Sequence, residues 1–327
     1  MTAIRGAALA TCLALAGCAA QPTMLESALP EGAQRSIELA DTPFFAQKKM
    51  QCGPAALAEV LSASGVAVTP DALAPFVFVP KRGGSLQVEM EAAPRGHSRL
   101  SYRLAPALTA ILAELGAHRP VLVLHNYSLP LLPRWHYAVV IGYDATTEKL
   151  VLRSGTTRRQ TMSARQFVRF WDRAGRWAIV TLRPGELPAT ADRARYLESA
   201  AAFERVARPE DAARAFDAAV NRWPDEPLAW VGRGTARYAQ RDLQGAARDY
   251  FEALRLDGSE SGARNNLAMT LLELGCPHAA RAQVETIAKD ALADPLRAAV
   301  EDTRSQIAAH MTASISDDPE SCRAVGR

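Results

Sequence analysis

The pattern of hydrophobic and polar positions divides the chain near residue 185. Before that point, short apolar runs alternate with amphipathic stretches; beyond it, strand-like runs disappear. Leu57, Val60 and Leu61 fall at the spacing of a buried helical stripe, so a helix opening at Cys52 is predicted to continue through 55–64, and a second to run over 106–116. Apolar, β-branched runs at 120–124, 137–143, 149–153 and 177–182 predict strands. Between the last two, Ser163-Ala164-Arg165-Gln166 has a capping-box pattern and opens a helix bearing Phe167, Phe170 and Trp171. The stretch with Pro70, Pro75 and Pro80 reads as irregular. Residues 18–40, rich in Ala, Pro, Gln and Ser without a period, read as a flexible tether. Residues 41–187 are thus expected to form a mixed α and β domain.

Pro184-Gly185-Glu186-Leu187-Pro188 reads as a linker, and residues 190–310 as an all-α domain. Within it, residues recur at an offset of about 34. Ala200, Gly234 and Ala268 correspond, as do Ala212, Ala246 and Ala280, and Phe216, Tyr250 and Val284. Small residues where helices approach and a bulky one as the knob are what stacked helical hairpins need. The region resembles tetratricopeptide repeats, best in Ala229-Trp230, Tyr238, Ala246, Tyr250 and Ala253-Leu254, and again in Asn266-Leu267-Ala268 and Leu274-Gly275. That resemblance implies a surface for a protein partner. Residues 311–327 read as a C-terminal tail.

The N-terminus adds a compartment. A short basic start through Arg5 precedes an apolar stretch over 6–15, too short to span a bilayer. Leu15-Ala16-Gly17-Cys18 resembles a bacterial lipobox, which implies a signal peptide over 1–17 and a lipid on Cys18. Ala19 after that cysteine favours an outer-membrane lipoprotein facing the periplasm, held to the membrane by the lipid anchor only. A net charge of +3, with 22% charged and 6% aromatic residues and no basic run interleaved with aromatics, gives no footprint for nucleic acid. Removing Cys12 with the signal and lipidating Cys18 leaves Cys52, Cys276 and Cys322. In an oxidising compartment, an odd number suggests one bridge, with Cys276 and Cys322 as the candidates, and one free thiol, Cys52.

Cys52 lies in Gln51-Cys52-Gly53-Pro54-Ala55-Ala56-Leu57, at the start of a predicted helix, where unpaired N–H groups and the helix dipole favour a thiolate. Histidines 97, 118, 125 and 136 are candidate bases. His136 opens the strand His136-Tyr137-Ala138-Val139-Val140-Ile141-Gly142-Tyr143-Asp144 and could take the thiol proton, leaving a thiolate–imidazolium pair. Together these two motifs resemble the papain-like bacteriocin-processing (family-39) cysteine peptidases, in the lipoprotein branch that carries C-terminal tetratricopeptide repeats. The resemblance implies an α+β papain-like cysteine peptidase domain followed by an all-α repeat domain. It assigns Cys52 as nucleophile, His136 as base and an upstream glutamine to the oxyanion. Gln47 is the best match, with Gln51 the alternative. Relatives place an aspartate after the next strand to orient the imidazole, whereas here Ser154 fills that slot; Asp144, the nearest acid, is expected at the far end of the strand. A serine can accept the imidazole bond but lacks the charge that stabilises an imidazolium.

No HExxH or paired CxxC is present, and Gly83-Gly84-Ser85 lacks the lysine of a phosphate-binding loop, so neither metal nor cofactor is expected. The Gly pair reads instead as a substrate-side loop. The leading expectation is a membrane-anchored cysteine peptidase acting on a peptide or protein substrate. A non-catalytic peptide-binding scaffold with a degraded peptidase domain is the alternative, and acyl transfer to an amine by the same residues is a third.

Overall fold

The computed structural model describes residues 22–48, 50–206, 208–287, 293–312 and 322. The lipobox, Cys18 and most of the C-terminal tail lie outside the described residues.

Helix α1 (Met24–Ala28) and strand β1 (Ser36–Glu38) open the described chain. Then come α2 (Cys52–Ala63), α3 (Pro70–Val77), a small ribbon of β2 (Phe78–Val79) and β3 (Gly84–Ser85), and α4 (Gln87–Ala92). Next are β4 (Leu100–Arg103), α5 (Leu108–Gly116), β5 (Val121–Asn126), β6 (Trp135–Asp144), β7 (Lys149–Ser154) and β8 (Thr157–Ser163). Helix α6 (Ala164–Asp172) and strand β9 (Ala178–Leu182) complete the mixed region. The main sheet has seven strands, ordered β4-β9-β5-β6-β7-β8, with β1 also on β6. Every pairing is antiparallel.

Alternation along the strands gives the sheet two apolar faces. Leu122, Leu124, Tyr137, Val139 and Ile141 pack under Leu57, Val60 and Leu61 of α2. Val121, Val123, Ala138 and Val140 pack against Ile111 of α5 and Phe167 and Trp171 of α6. The expected α6 start is present, with Ser163 Oγ accepting the Gln166 N–H.

Three expectations are corrected. The tether over 18–40 is ordered from Thr23: Leu25 is buried in the core, and β1 pairs with the far end of β6. The Pro-rich stretch contains α3, because Thr69 caps it and Pro70 sits in the first turn, where its missing N–H has no intrahelical partner. Strands β4 and β8 were not foreseen; β8 is largely polar and lies at the sheet edge, so no hydrophobic alternation marks it.

The remainder is helical: α7 (Arg193–Ala201), α8 (Pro209–Arg222), α9 (Pro227–Ala239), α10 (Leu243–Leu256), α11 (Ser261–Glu273), α12 (Pro277–Glu285) and α13 (Asp294–Thr312). Ala200 and Ala268 are buried, as are Ala212, Ala246 and Ala280. A Cβ on Gly234 would come 2.8 Å from the Tyr250 ring, so that small position is set by the neighbouring knob. Cys276 and Cys322 form a disulfide. Tyr196, Ala200 and Phe203 share one core with Leu100 and Tyr102 of β4. The Tyr102 hydroxyl accepts the Asp192 N–H at 3.0 Å, and Tyr196 donates to the Glu186 carbonyl at 3.1 Å. The helical half is therefore packed directly onto the sheet.

Candidate active site

Cys52 is the first residue of α2, and no side chain caps that helix start. It is the free cysteine among the described residues and is partly buried. Its thiol lies against the main chain of Tyr137, the residue after His136. Burial pushes the thiol above its ordinary pKa, opposed by backbone hydrogen bonds from Tyr137, Gly53 and Cys52 itself.

His136 stands at the start of β6, and its Nε2 lies 2.9 Å from Ser154 Oγ. This is the slot in which the resemblance expects an aspartate. The ring stacks on Tyr127, with centroids 5.1 Å apart and planes at 29°. The Tyr127 hydroxyl is buried near Ser154 but makes no hydrogen bond of ordinary geometry among the described residues. Burial, with Arg134 second, pulls the His136 pKa down to about 4. Among the described residues, no carboxylate bonds the ring. Both shifts favour a neutral thiol and a neutral imidazole at rest, in place of the expected thiolate–imidazolium pair.

Gln47 reaches the same point from the other side. Its Nε2 donates to the Tyr137 carbonyl at a long 3.5 Å, and its own N–H donates to the Gly155 carbonyl at 3.0 Å. Gln51 is the N-cap residue of α2. Asp144 ends β6, where its carboxylate accepts the N–H groups of Thr146 and Thr147. It lies eight residues along β6 from His136, about 27 Å away. His125 is paired opposite His136 in the β5–β6 register but is fully buried, and neither ring nitrogen has a partner among the described residues. His97 lies in a 3-10 turn and His118 follows α5 in a left-handed turn. The Gly83–Ser85 segment lies against the nucleophile helix: a Cβ on Gly53 would meet Ser85 Oγ at 2.2 Å, and Tyr137 Oη donates to the Ser85 carbonyl at 3.3 Å.

Sequence reasoning missed three supporting residues. Tyr127 was detectable, since it continues β5 two residues past His125 and so shares that face. Glu59, two turns along α2 from Cys52, accepts the Phe45 N–H at 3.1 Å. Burial raises its carboxyl to about 8. Arg153 donates to the carbonyls of Ala40 and Thr42. These two side chains bracket the segment that delivers Gln47, and no local pattern announces them.

A thiol at a helix start, a strand-end imidazole bonded to a hydroxyl, and an amide side chain at the same main-chain position make up the candidate thiol site. Residues 39–179 match the Peptidase_C39 like family. The papain-like, family-39-like resemblance therefore holds for this N-terminal part, which includes all four residues. Among solved structures, the chain is similar to a "putative C39-like peptidase" from Bacillus anthracis, at 18% identity and a TM-score of 0.40, over 45% of this chain and 98% of that one. No curated protein matches the chain.

Proposed function

We propose that this protein is a cysteine peptidase that hydrolyses amide bonds of a peptide or protein. The observation that carries the reading is the convergence of Cys52 and Gln47 on the Tyr137 main chain, next to a His136 ring whose Nε2 is held by Ser154. With Nε2 engaged, Nδ1 is the ring nitrogen left to take the thiol proton. The sulfur attacks the carbonyl as that proton moves to His136, and the oxyanion accepts bonds from the Gln47 amide and the Cys52 N–H. The imidazolium then protonates the leaving amine as the C–N bond breaks, leaving a thioester. Water, deprotonated by His136, cleaves the thioester and restores the thiol.

The neutral resting pair places the cost of charge separation in the transition state, where the oxyanion donors act. On this reading, Cys18 carries a lipid that anchors the protein to the outer membrane on its periplasmic side. The buried small-residue columns support tetratricopeptide-like repeats that bind a protein partner. Cys52→Ala should abolish peptide hydrolysis without changing the fold; hydrolysis by that variant at the wild-type rate overturns the assignment. The second reading, a peptide-binding scaffold, is favoured by the missing carboxylate. Alkylation of Cys52 that slows in His136→Ala supports the enzyme, and slow labelling independent of His136 supports the scaffold.

A further inference from the structure

The loop joining β5 to β6, with Trp135 that opens β6 next to His136, carries four large apolar side chains to solvent: Leu129, Leu131, Leu132 and Trp135, with Leu131 92% and Leu132 75% exposed. This loop is well tied down. Buried Asn126 accepts the N–H groups of Ser128 and Arg134 through Oδ1 at 3.0 and 2.9 Å, the Tyr127 N–H donates to the Arg134 carbonyl, and Arg173 donates to the Ser128 carbonyl. Pro130 and Pro133 restrict it further. On the nucleophile side, Met50 and Leu86 are also exposed. Met50 lies two residues before Cys52, touching Gly83, and Leu86 caps the start of α4, next to the Ser85 that lies against Gly53 of α2. Exposed apolar groups thus flank both the thiol and the imidazole.

We infer that the substrate is an extended peptide with large apolar side chains on both sides of the scissile bond, one set received by the Leu129–Trp135 loop and the other by Met50 and Leu86. This rests on the hydrolase reading above. A loop already held in place loses little freedom on binding, and exposed apolar groups gain most by being covered. The position of the first described residues argues for a peptide and against a lipid surface as occupant. The Leu25 N–H bonds Glu148 at the β6–β7 turn, so the first described residues lie at the opposite end of β6 from His136. A lipid on Cys18 would hold that end to the bilayer and turn the apolar loop away from it.

The test uses two internally quenched decapeptides of equal length and charge, one with Leu and Phe at the two positions on each side of the central bond, the other with Ser and Gln there. The full chain should cleave the apolar peptide with a kcat/KM at least about tenfold higher. The triple variant Leu129→Ser, Leu131→Ser, Leu132→Ser should lose most of that ratio, chiefly through KM, with thermal melting checking its fold. Equal cleavage of both peptides, or an unchanged ratio in the variant, overturns the inference while leaving the hydrolase reading intact. If neither peptide is cleaved, fluorescence anisotropy of the labelled apolar peptide on Cys52→Ala decides separately: binding lost in the triple variant supports the inference without hydrolysis, and absent binding overturns it. Phosphatidylglycerol-containing vesicles and sedimentation velocity on the full chain with Cys18→Ser cover other occupants. Vesicle binding or dimerisation that the triple substitution abolishes, without effect on the peptide ratio, also overturns it.

Discussion

His136 Nε2 and Ser154 Oγ are 2.9 Å apart, a neutral contact at the place where a charged orienter would hold an imidazolium. The hydroxyl fixes the ring's direction and leaves its basicity low. Ser154→Ala should therefore lower kcat/KM about fivefold, the worth of one ordinary hydrogen bond. Ser154→Asp should raise the His136 pKa and speed alkylation of Cys52 by iodoacetamide at pH 6 at least about tenfold, since one pKa unit is a factor of ten. An unchanged labelling rate in Ser154→Asp would contradict the orienting role.

The pH profile tests the resting charge state directly. With His136 at about 4, the base stays neutral well below neutrality, so kcat/KM should hold between pH 7 and 5 and fall only on approaching about 4. An acid limb near the ordinary histidine value of about 6.5 would show an imidazolium stabilised by some group other than Ser154.

Glu59 links alkaline pH to the segment that carries Gln47. Its carboxyl has an ordinary value of 4.5 in the unfolded chain and about 8 in the fold. The folded state therefore binds the extra proton. The associated stability is full below about 4.5 and is lost as pH rises through about 8. Glu59→Gln keeps the bond to the Phe45 N–H and cannot ionise. Its melting temperature should change less than wild type between pH 5 and 9, and parallel curves for the two proteins would refute the linkage.

The Cys276–Cys322 bridge closes a loop with a sequence separation of 46. On the loop-entropy estimate, it stabilises the helical half by about 4 kcal/mol. Reduction, or Cys322→Ser, should make the amides of α11 and α12 exchange faster while the Cys52 region keeps its protection. Uniform loss of protection across the sheet would show that the two halves unfold as one unit.

Much of the candidate site could be proposed from the sequence because its signals are local. Cys52 announces itself through its helix start, His136 through the strand that it opens, and Ser154 through its place one strand later. The helical half was legible through the recurrence of small residues, each of which must meet a bulky partner such as Tyr250 facing Gly234. Tertiary contacts decided what the sequence did not reveal. Residues 24–38 have no period of their own, and they are ordered because Leu25 finds the core and β1 finds a vacant stretch of β6. Arg153 sits in an otherwise apolar strand, and only the fold shows that its guanidinium collects the carbonyls of Ala40 and Thr42. The low basicity of His136 likewise depends on burial that no spacing rule encodes.

The shared core of β4 and α7 has a kinetic meaning. A catalytic unit on a floppy leash sees a captured chain as a diluted neighbour, at a local concentration set by the leash length. Here Tyr196 and Phe203 are wedged into the sheet's own interior, so the leash length is zero. On the function proposed above, a chain gripped by the helices would be offered to Cys52 at one fixed offset. Segments that span this offset would be held at high local concentration, and those that do not would gain nothing from being gripped. Selection among substrates would then act as a measurement of length along the captured chain, in addition to any reading of side chains at the cleaved bond.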